Sequence, residues 1–453
     1  MTDHDRPLWQ LTAGELVAGY AAGRFTPVDA LDAVLARHDA VNPSLNAVVT
    51  LAADAAHAAA EESARRWADG APSSTLDGVP VTIKDNLLVA GMRTTWGSLA
   101  FADFVPDRDE RPVARLREAG LVILGKTNVP ELTVQGYTDN LLFGATGNPV
   151  NPDWTPGGSS GGAAAAVGSG IAPLALCTDG GGSIRRPASH CGLFGLKPSA
   201  RTIRRGNGFP AILGEFEVVG PIARSLDDIA LMLDVLAGDA LPEGDFAEAP
   251  RILHAGTFGG QPVDPEIASG VDRAAEAFRE AGCIVETRDS LDCLAPMDDI
   301  WPVISTSGVA WMFGRTPELA QKAGPALKAM AETGSGFTAT DYAGAMVAIE
   351  ALKDAFREAM AGFDVLLTPA IAALSWAKGI SHPEKIDGRP VGPRGHAIFT
   401  AFANALGLPG LSVPVGTSSD GRPYGLQLVG SFRTEKRLIQ LARQCGFERR
   451  ERG

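Results

Sequence analysis

Short, nearly continuous apolar runs recur along this chain, and segments with helical spacing separate them. The clearest runs are Gly78 to Ile83, Leu121 to Leu124 and Ala172 to Leu176, and turn residues flank them. Between the first two, Arg111 to Glu118 has the spacing of an amphipathic helix. Such runs are typical of strands buried on both faces, which requires helices on either side of a sheet. The alternation therefore predicts an α/β fold with a central mixed β-sheet flanked by helices on both faces.

Two capping signatures predict helices ahead of the first strand-like run. Thr12 is followed three residues later by Glu15, the spacing of a capping box. Thr26 precedes a proline and then Asp29, which is a second helix start. The Ala-rich stretch from Ala52 to Trp67 predicts a third helix.

The second half of the chain returns to strand character after a long, mostly helical stretch. An amphipathic helix from Asp227 to Ala237 precedes that stretch, which runs from about residue 240 to residue 360 and is Ala-rich and weakly patterned. The strand-like runs of this half are 251–254, 364–368, 411–415 and 425–429. We expect them to rejoin the same sheet, so that residues 1–453 form a single domain with the middle helices as an insertion or cap.

The charge balance of the chain restricts its partners. The formal net charge is −13, and nucleic acids and anionic membranes are both bound by clustered Lys and Arg. The first seven residues contain no basic stretch followed by an apolar run, and the apolar stretch 163–177 is too short to span a bilayer. We therefore expect a cytoplasmic protein that binds neither nucleic acid nor membrane.

A Gly/Ser-rich segment, Gly157 to Gly162, opens the part of the chain that carries chemistry. Its glycine spacing fits the start of a phosphate-binding P-loop, but Ala163 and Ala164 stand where that loop needs Lys and Ser or Thr. The segment also fits a nucleophile elbow centred on Ser160, which requires a strand directly before it. A loop with two prolines precedes it instead, although histidines downstream leave this alternative open.

Two further segments carry candidate reactive groups. Three consecutive glycines precede Ser183, and such a run can direct several backbone N–H groups into one anion-binding concavity. An ordinary glycine-rich turn would look the same. Lys84 ends the first apolar run, where loss of solvent would lower its pKa and make it usable as a base. Pairing with Asp85, or extension of its amine to solvent, is the alternative.

Jointly and in this order, the segments resemble the amidase signature family. The family's Gly/Ser-rich hallmark is matched by Gly157 to Ala166, its G-G-S-I-R segment by Gly181 to Arg185, and the end of its signature by Cys191 to Ser199. Other similar pieces are 78–86, 125–128, 220–225 and 425–430. The resemblance covers nearly the whole chain and is weak only from about 240 to 360.

The resemblance implies a catalytic triad of Lys84, Ser159 and Ser183. Ser183 would attack the acyl carbon, Ser159 would relay its proton, and neutral Lys84 would act as the base. An acyl-enzyme would form and then be hydrolysed, with no metal and no cofactor. In the family, the peptide bond that enters the relaying serine is cis.

The resemblance also implies an oxyanion hole and two supporting residues. The hole would consist of the backbone N–H groups of Gly180, Gly181, Gly182 and Ser183. Asp179 and Arg185 would support this loop without taking part in the chemistry. Selectivity would lie in the divergent region and in pocket loops, here residues 128–143 and 295–345. Apolar candidates in the second of these are Trp301, Trp311, Met312 and Phe313, although residues at helical spacing more often belong to the core than to a pocket.

The implied function is hydrolysis of an acyl–nitrogen bond in an amide, anilide or hydrazide. Within the family, the alternative is the glutaminase (A-type) subunit of a tRNA-dependent amidotransferase, and a non-catalytic binding protein is an alternative of another class. The expected partner is a small amide-type substrate, and a homodimer is left open. Trp96 and Phe402 depart from the family's usual residues and could reshape the pocket, although Trp96 fits a core position equally well.

Overall fold

The computed structural model describes residues 6–238, 241–242, 244–246 and 249–448. The first five residues, for which the sequence predicts no leader, therefore lie outside the described residues. The helices are α1 (Ala13–Ala21), α2 (Pro27–Leu45), α3 (Ala53–Ala68), α4 (Arg111–Glu118), α5 (Gly161–Ser169), α6 (Arg185–His190), α7 (Leu226–Ala237), α8 (Pro265–Glu280), α9 (Met297–Arg315), α10 (Pro317–Lys322), α11 (Pro325–Ser335), α12 (Ala339–Ala359), α13 (Ala401–Ala405) and α14 (Glu435–Gln444). The strands are β1 (Val48–Leu51), β2 (Pro80–Lys84), β3 (Val122–Thr127), β4 (Leu174–Asp179), β5 (Phe194–Lys197), β6 (Val218–Ala223), β7 (Arg251–Thr257), β8 (Ile284–Ser290), β9 (Val365–Pro369), β10 (Lys385–Ile386), β11 (Arg389–Pro390), β12 (Gly410–Thr417) and β13 (Pro423–Gly430).

One large mixed sheet organises the described part of the chain. Its order is β1-β3-β2-β4-β6-β5-β12-β13-β9-β7-β8, while β10 and β11 pair separately. Parallel pairs join β3, β2 and β4 near one end and β9, β7 and β8 at the other. The pairs from β4 through β6, β5, β12 and β13 to β9 are antiparallel. The predicted mixed sheet is confirmed, and the late strands do rejoin it.

Helices cover both faces of the sheet, as β4 illustrates. Its residues alternate between two cores: Leu174 and Leu176 belong to one hydrophobic cluster, and Ala175 and Cys177 to another. The first cluster includes residues of α1, α7, α8 and α14, and the second includes residues of α5 and α6. This alternation is the two-residue period of a strand buried on both faces.

Most sequence predictions of individual elements are confirmed. The predicted capping box is present at the start of α1, α2 begins after Thr26 as predicted, and α4 has the predicted bounds. An unexpected edge strand, β8, lies inside the stretch predicted to be mostly helical. Its side chains are largely exposed, so it has polar residues where a buried strand has apolar ones. Because of this composition, β8 does not appear as an apolar run in the sequence.

The topology brings four segments to one edge of the sheet. β2 and β4 are parallel neighbours, so their carboxyl ends meet there. β2 ends at Lys84, and β4 ends at Asp179. The N-termini of α5 and α6 lie beside these ends, as is common for sites in sheets with parallel strands. Among the described helices, none is both long and apolar enough to cross a membrane.

Candidate active site

The Gly/Ser-rich segment that leads into α5 packs closely against neighbouring backbone. A methyl group on Gly158 would lie 2.6 Å from Tyr137 O, and one on Gly162 would lie 2.4 Å from Asn128 N. Larger residues would therefore push these backbones apart, which explains the glycines physically. The Gly158–Ser159 peptide bond is cis, as the resemblance implies.

Lys84 is fully buried and is bonded to Ser159. Its Nζ lies 2.9 Å from Ser159 Oγ, and it also contacts Thr178 through the carbonyl oxygen at 3.0 Å and the hydroxyl at 2.9 Å. The alternative pairing with Asp85 is not found, because Asp85 instead pairs with Lys126 at 3.1 Å. The amine therefore points at a serine hydroxyl, and no carboxylate among the described residues contacts it directly.

The environment of Lys84 favours the neutral amine. The pKa of Lys84 is lowered to about 8, chiefly by burial and to a smaller extent by the nearby charge of Arg205. The carboxylates of Glu217 and Asp179 act in the opposite direction but do not offset burial. An amine with this pKa has an accessible neutral form near neutral pH, which is what a general base requires.

Of the three predicted residues Lys84, Ser159 and Ser183, Ser183 is the most exposed. It is 6% exposed, whereas Ser159 is 0% exposed. Both serines line a narrow cavity, and Ser183 also lines a larger one of about 660 Å³. Among the described residues, no hydrogen bond joins the two serine hydroxyls directly. The structure therefore brings the three predicted residues to one place, with Lys84 and Ser159 already in contact.

Asp179 shapes the loop that leads to Ser183. Its carboxylate accepts hydrogen bonds from Gly182 N at 2.7 Å and from Ile184 N at 3.0 Å. Gly182 has a φ of +115°, and a methyl group there would lie 2.2 Å from Thr400 Oγ1, so only glycine fits. Because the Gly182 N–H already donates to Asp179, it is not free to bind an oxyanion, in contrast to the sequence prediction.

The guanidinium of Arg185 holds the carboxylate of Asp179 in place. It contacts both carboxylate oxygens, at 2.9 Å and 3.0 Å, and neither side chain is exposed. The other donors reach Thr400 O, Asn404 Oδ1 and Gln427 Oε1. Burial alone would raise the pKa of Asp179, but the adjacent Arg185 holds it well below its usual range. This geometry fits the supporting role predicted for both residues.

The variant Asp179→Asn is expected to be strongly destabilised. It would leave the buried charge of Arg185 without its counter-charge, which typically costs about 3–5 kcal/mol. Chemical denaturation would measure the free energy of unfolding. Asp354→Asn is a matched control, because Asp354 pairs with Arg357 at 2.6 Å on the surface and its loss should cost less than about 1 kcal/mol. Equal losses in the two variants would contradict the structural role of the buried pair.

The larger cavity has walls from three stretches of the chain. They are residues 133–137, positions within 298–306, and residues 392–398. The first two lie in the predicted pocket regions, and Trp301 lines the cavity as one of the predicted candidates. Trp311 is instead 47% exposed, and Met312 lies in a hydrophobic core. Trp96 is a core residue stacked on Phe209 at 4.6 Å.

Several residues of the site were not predicted from the sequence. Thr178 accepts a hydrogen bond from Lys84, and Asn404 and Gln427 accept hydrogen bonds from Arg185. Arg186 and Arg394 line the large cavity. Thr178 directly precedes the predicted loop and could have been suspected from that position, but no local pattern marks the others. In the described residues, no group of three or more His, Cys, Asp or Glu side chains could hold a metal ion.

Comparisons with known proteins show the family to which the chain belongs. The Amidase family model matches residues 29–439. The A-type subunit of the glutamyl-tRNA(Gln) amidotransferase of Lachnospira eligens is 34% identical, with 96% of this chain and 97% of that protein covered. A bacterial aryl acylamidase of the amidase signature family superposes with a TM-score of 0.88 at 28% identity, over 97% of each chain. A 6-aminohexanoate cyclic dimer hydrolase superposes with a TM-score of 0.85 at 29% identity, also over 97% of each chain. The chain therefore belongs to the amidase signature family of enzymes.

Proposed function

We propose that this chain is an amidase that hydrolyses a carboxamide, anilide or hydrazide to a carboxylate and a free amine. One observation carries the proposal: the buried amine of Lys84 contacts Ser159 Oγ at 2.9 Å, beside an accessible Ser183 that lines a large cavity. A buried base, a relaying hydroxyl and an accessible nucleophile are the groups that acyl transfer needs.

The proposed reaction begins with attack of Ser183 Oγ on the substrate carbonyl. Its proton passes to Ser159 as the Ser159 proton passes to neutral Lys84. The hydrogen bond between the two serines would close in the substrate complex, as catalytic hydrogen bonds often do. Backbone N–H groups of Gly180, Gly181 and Ser183 would stabilise the oxyanion. The relay then runs in reverse to protonate the leaving nitrogen, and water releases the acid by the same route.

The activity is expected to rise with pH through a pKa of about 8. Only the neutral amine of Lys84 accepts a proton, and burial places its pKa at about 8, so the active form increases as the pH rises. The measurement is kcat/KM between about pH 6 and pH 10 on a substrate that does not titrate. A profile that is flat, or that falls across this range, would argue against Lys84 as the base.

A second candidate function is a glutaminase subunit of a tRNA-dependent amidotransferase. The 34% identity to the A-type subunit of a glutamyl-tRNA(Gln) amidotransferase supports it. The deciding experiment is a hydrolysis screen of the isolated chain across amides, anilides, hydrazides, ureas and free glutamine. Activity on simple amides but not on glutamine would favour the amidase. Activity confined to glutamine would favour the glutaminase.

A fluorophosphonate probe distinguishes both enzymes from a non-catalytic binding protein. Labelling of the wild-type chain that disappears in Ser183→Ala would identify an active serine hydrolase. Absence of labelling in the folded wild-type chain would support the non-catalytic alternative. A cytoplasmic location and the lack of a nucleic-acid partner stay predictions from the sequence, and a homodimeric assembly stays open.

A further inference from the structure

The large cavity beside Ser183 has an imbalance of charge. Two arginines, Arg186 and Arg394, line it together with a single carboxylate, Asp298. His396 also lines it, but burial and the neighbouring Arg186 and Arg394 hold its pKa well below the usual value, so this imidazole is neutral. A cavity that encloses an excess of positive charge is costly unless an anion occupies it.

Arg186 is held by neutral partners. Its Nε donates to Gly182 O at 3.3 Å, and its Nη1 lies 3.3 Å from His396 Nε2. In the described part of the chain, no carboxylate lies within ion-pair distance of its guanidinium. Arg186 is 5% exposed, and burial lowers its pKa, so the charge is poorly solvated. The nearby carboxylate of Asp179 favours this charge but is itself paired with Arg185, so Arg186 has no direct counter-ion among the described residues.

Arg394 extends the same positive region toward the nucleophile loop. Its Cζ lies 5.7 Å from the ring centroid of Trp301, a cation–π distance. The Trp301 ring lies against Gly181, where a methyl group would come within 2.9 Å of Cζ2. Arg394 is thus separated from the predicted oxyanion loop by one aromatic ring.

Asp298 does not neutralise either guanidinium by direct contact. It lies one turn before Trp301 on α9, and its Oδ2 accepts a hydrogen bond from Gln261 Nε2 at 3.2 Å. Among the described residues, no ion pair joins it to Arg394. Burial raises the pKa of Asp298 and the nearby charge of Arg394 lowers it, so these two groups attract each other without direct contact. The cavity therefore has free guanidinium donors suited to bidentate binding of a carboxylate.

We propose that the substrate carries a carboxylate in addition to its scissile acyl–nitrogen bond, and that Arg186 and Arg394 bind this carboxylate. The inference rests on the proposed amidase function, because it places the carboxylate within the cavity that opens on Ser183. The carboxylate belongs either to the acyl side, as in the monoamide of a dicarboxylic acid, or to the amine side, as in an N-acyl amino acid. The excess of guanidinium over carboxylate favours an anion over a zwitterion.

Calorimetric titration of the Ser183→Ala protein tests this without requiring turnover. One matched pair is glutaramate against valeramide, which differ by a carboxylate on the acyl side. The other is N-butyrylglycine against N-propylbutyramide, which differ by a carboxylate on the amine side. In at least one pair, the anion should bind about tenfold more tightly or better, since hydrogen bonds to charged groups are worth at least that factor. The pair with the preference identifies the side.

Arg394→Gln, made in the same background, should reduce that preference by about tenfold. Arg315→Gln is the matched control and should leave it unchanged. Arg315 is the last residue of α9, the helix that also contains Trp301. Its Cζ lies 5.5 Å from the ring centroid of Trp311, but the side chain is exposed and outside the cavity. Arg315→Gln therefore removes the same charge as Arg394→Gln, together with a similar contact between a guanidinium and a tryptophan ring.

Three results would overturn the inference: equal binding of the members of both pairs, an equal loss in Arg315→Gln, or tighter binding of glutamine than of glutaramate. The last would indicate recognition of a zwitterion. Failure of the amidase proposal is a separate result, seen as absent fluorophosphonate labelling and absent hydrolysis in the wild-type chain. Hydrolysis of amides with no preference for an anion would contradict only the proposed carboxylate site.

Discussion

Ser183→Ala is expected to lower kcat/KM for amide hydrolysis by roughly three to six orders of magnitude. Ser183 has the accessible hydroxyl at the junction of the narrow and the large cavity, and the variant removes the only atom proposed to bond the acyl group. The change removes one oxygen from a nearly buried site, so the free energy of unfolding should change little. The measurements are kcat/KM on the best amide from the screen and covalent labelling by fluorophosphonate.

Ser160→Ala is the matched control for this experiment. Ser160 adjoins Ser159 in sequence and is equally buried, but its Oγ donates to Thr178 O at a long 3.3 Å and interacts with the thiol of Cys177. We expect a loss within about tenfold, the value of one weak hydrogen bond. If Ser160→Ala were as inactive as Ser183→Ala, the assignment of Ser159 as the relaying serine would be wrong, and the nucleophile-elbow alternative would return.

Lys84→Met is expected to lower kcat/KM by at least about a thousandfold while the protein stays folded. Methionine matches the length and apolar stem of lysine but provides no base, and no buried amine has to be desolvated. Lys84→Arg should be similarly inactive, because a guanidinium stays charged and cannot accept a proton. Substantial activity in Lys84→Arg would show that the positive charge matters and the base does not.

Lys197→Met provides the comparison for removal of a buried lysine. Lys197 is also fully buried, and burial lowers its pKa to about 7, yet its Nζ donates to Pro198 O and contacts neither serine. A much smaller loss of kcat/KM is expected in this variant. Thermal unfolding of both variants separates a loss of chemistry from a loss of folding.

The sequence predicts most of the strands that are buried on both faces, although β5 and β6 are buried throughout and were not predicted. β2, β3, β4, β9, β12 and β13 are apolar runs, and their prediction depends only on burial. β8 escaped prediction because it is an exposed edge strand, so its side chains follow no burial pattern. β1 is a four-residue strand with only one buried residue, too short for periodicity to be read.

The residues of the candidate site likewise fall into a group that could be predicted from the sequence and a group that could not. Lys84, Ser159 and Ser183 lie in ordered local motifs, so their convergence could be predicted from the family resemblance. Arg186 and Arg394 could not, because their significance arises from long-range packing around one cavity. No local spacing reveals that two guanidiniums from distant segments share an enclosure with a single carboxylate. The engaged N–H of Gly182 was missed for a related reason, since it depends on how Asp179 turns back on its own loop.

The contacts of Arg185 have a consequence for the order in which the protein acquires its activity during synthesis. Two of its partners, Asn404 and Gln427, lie 219 and 242 residues later in the chain. A nascent chain that ends before them contains the whole triad but lacks the contacts that hold Arg185 and, through Asp179, the nucleophile loop. Under the proposed function, competence for hydrolysis would therefore arise only once the last strands are in place.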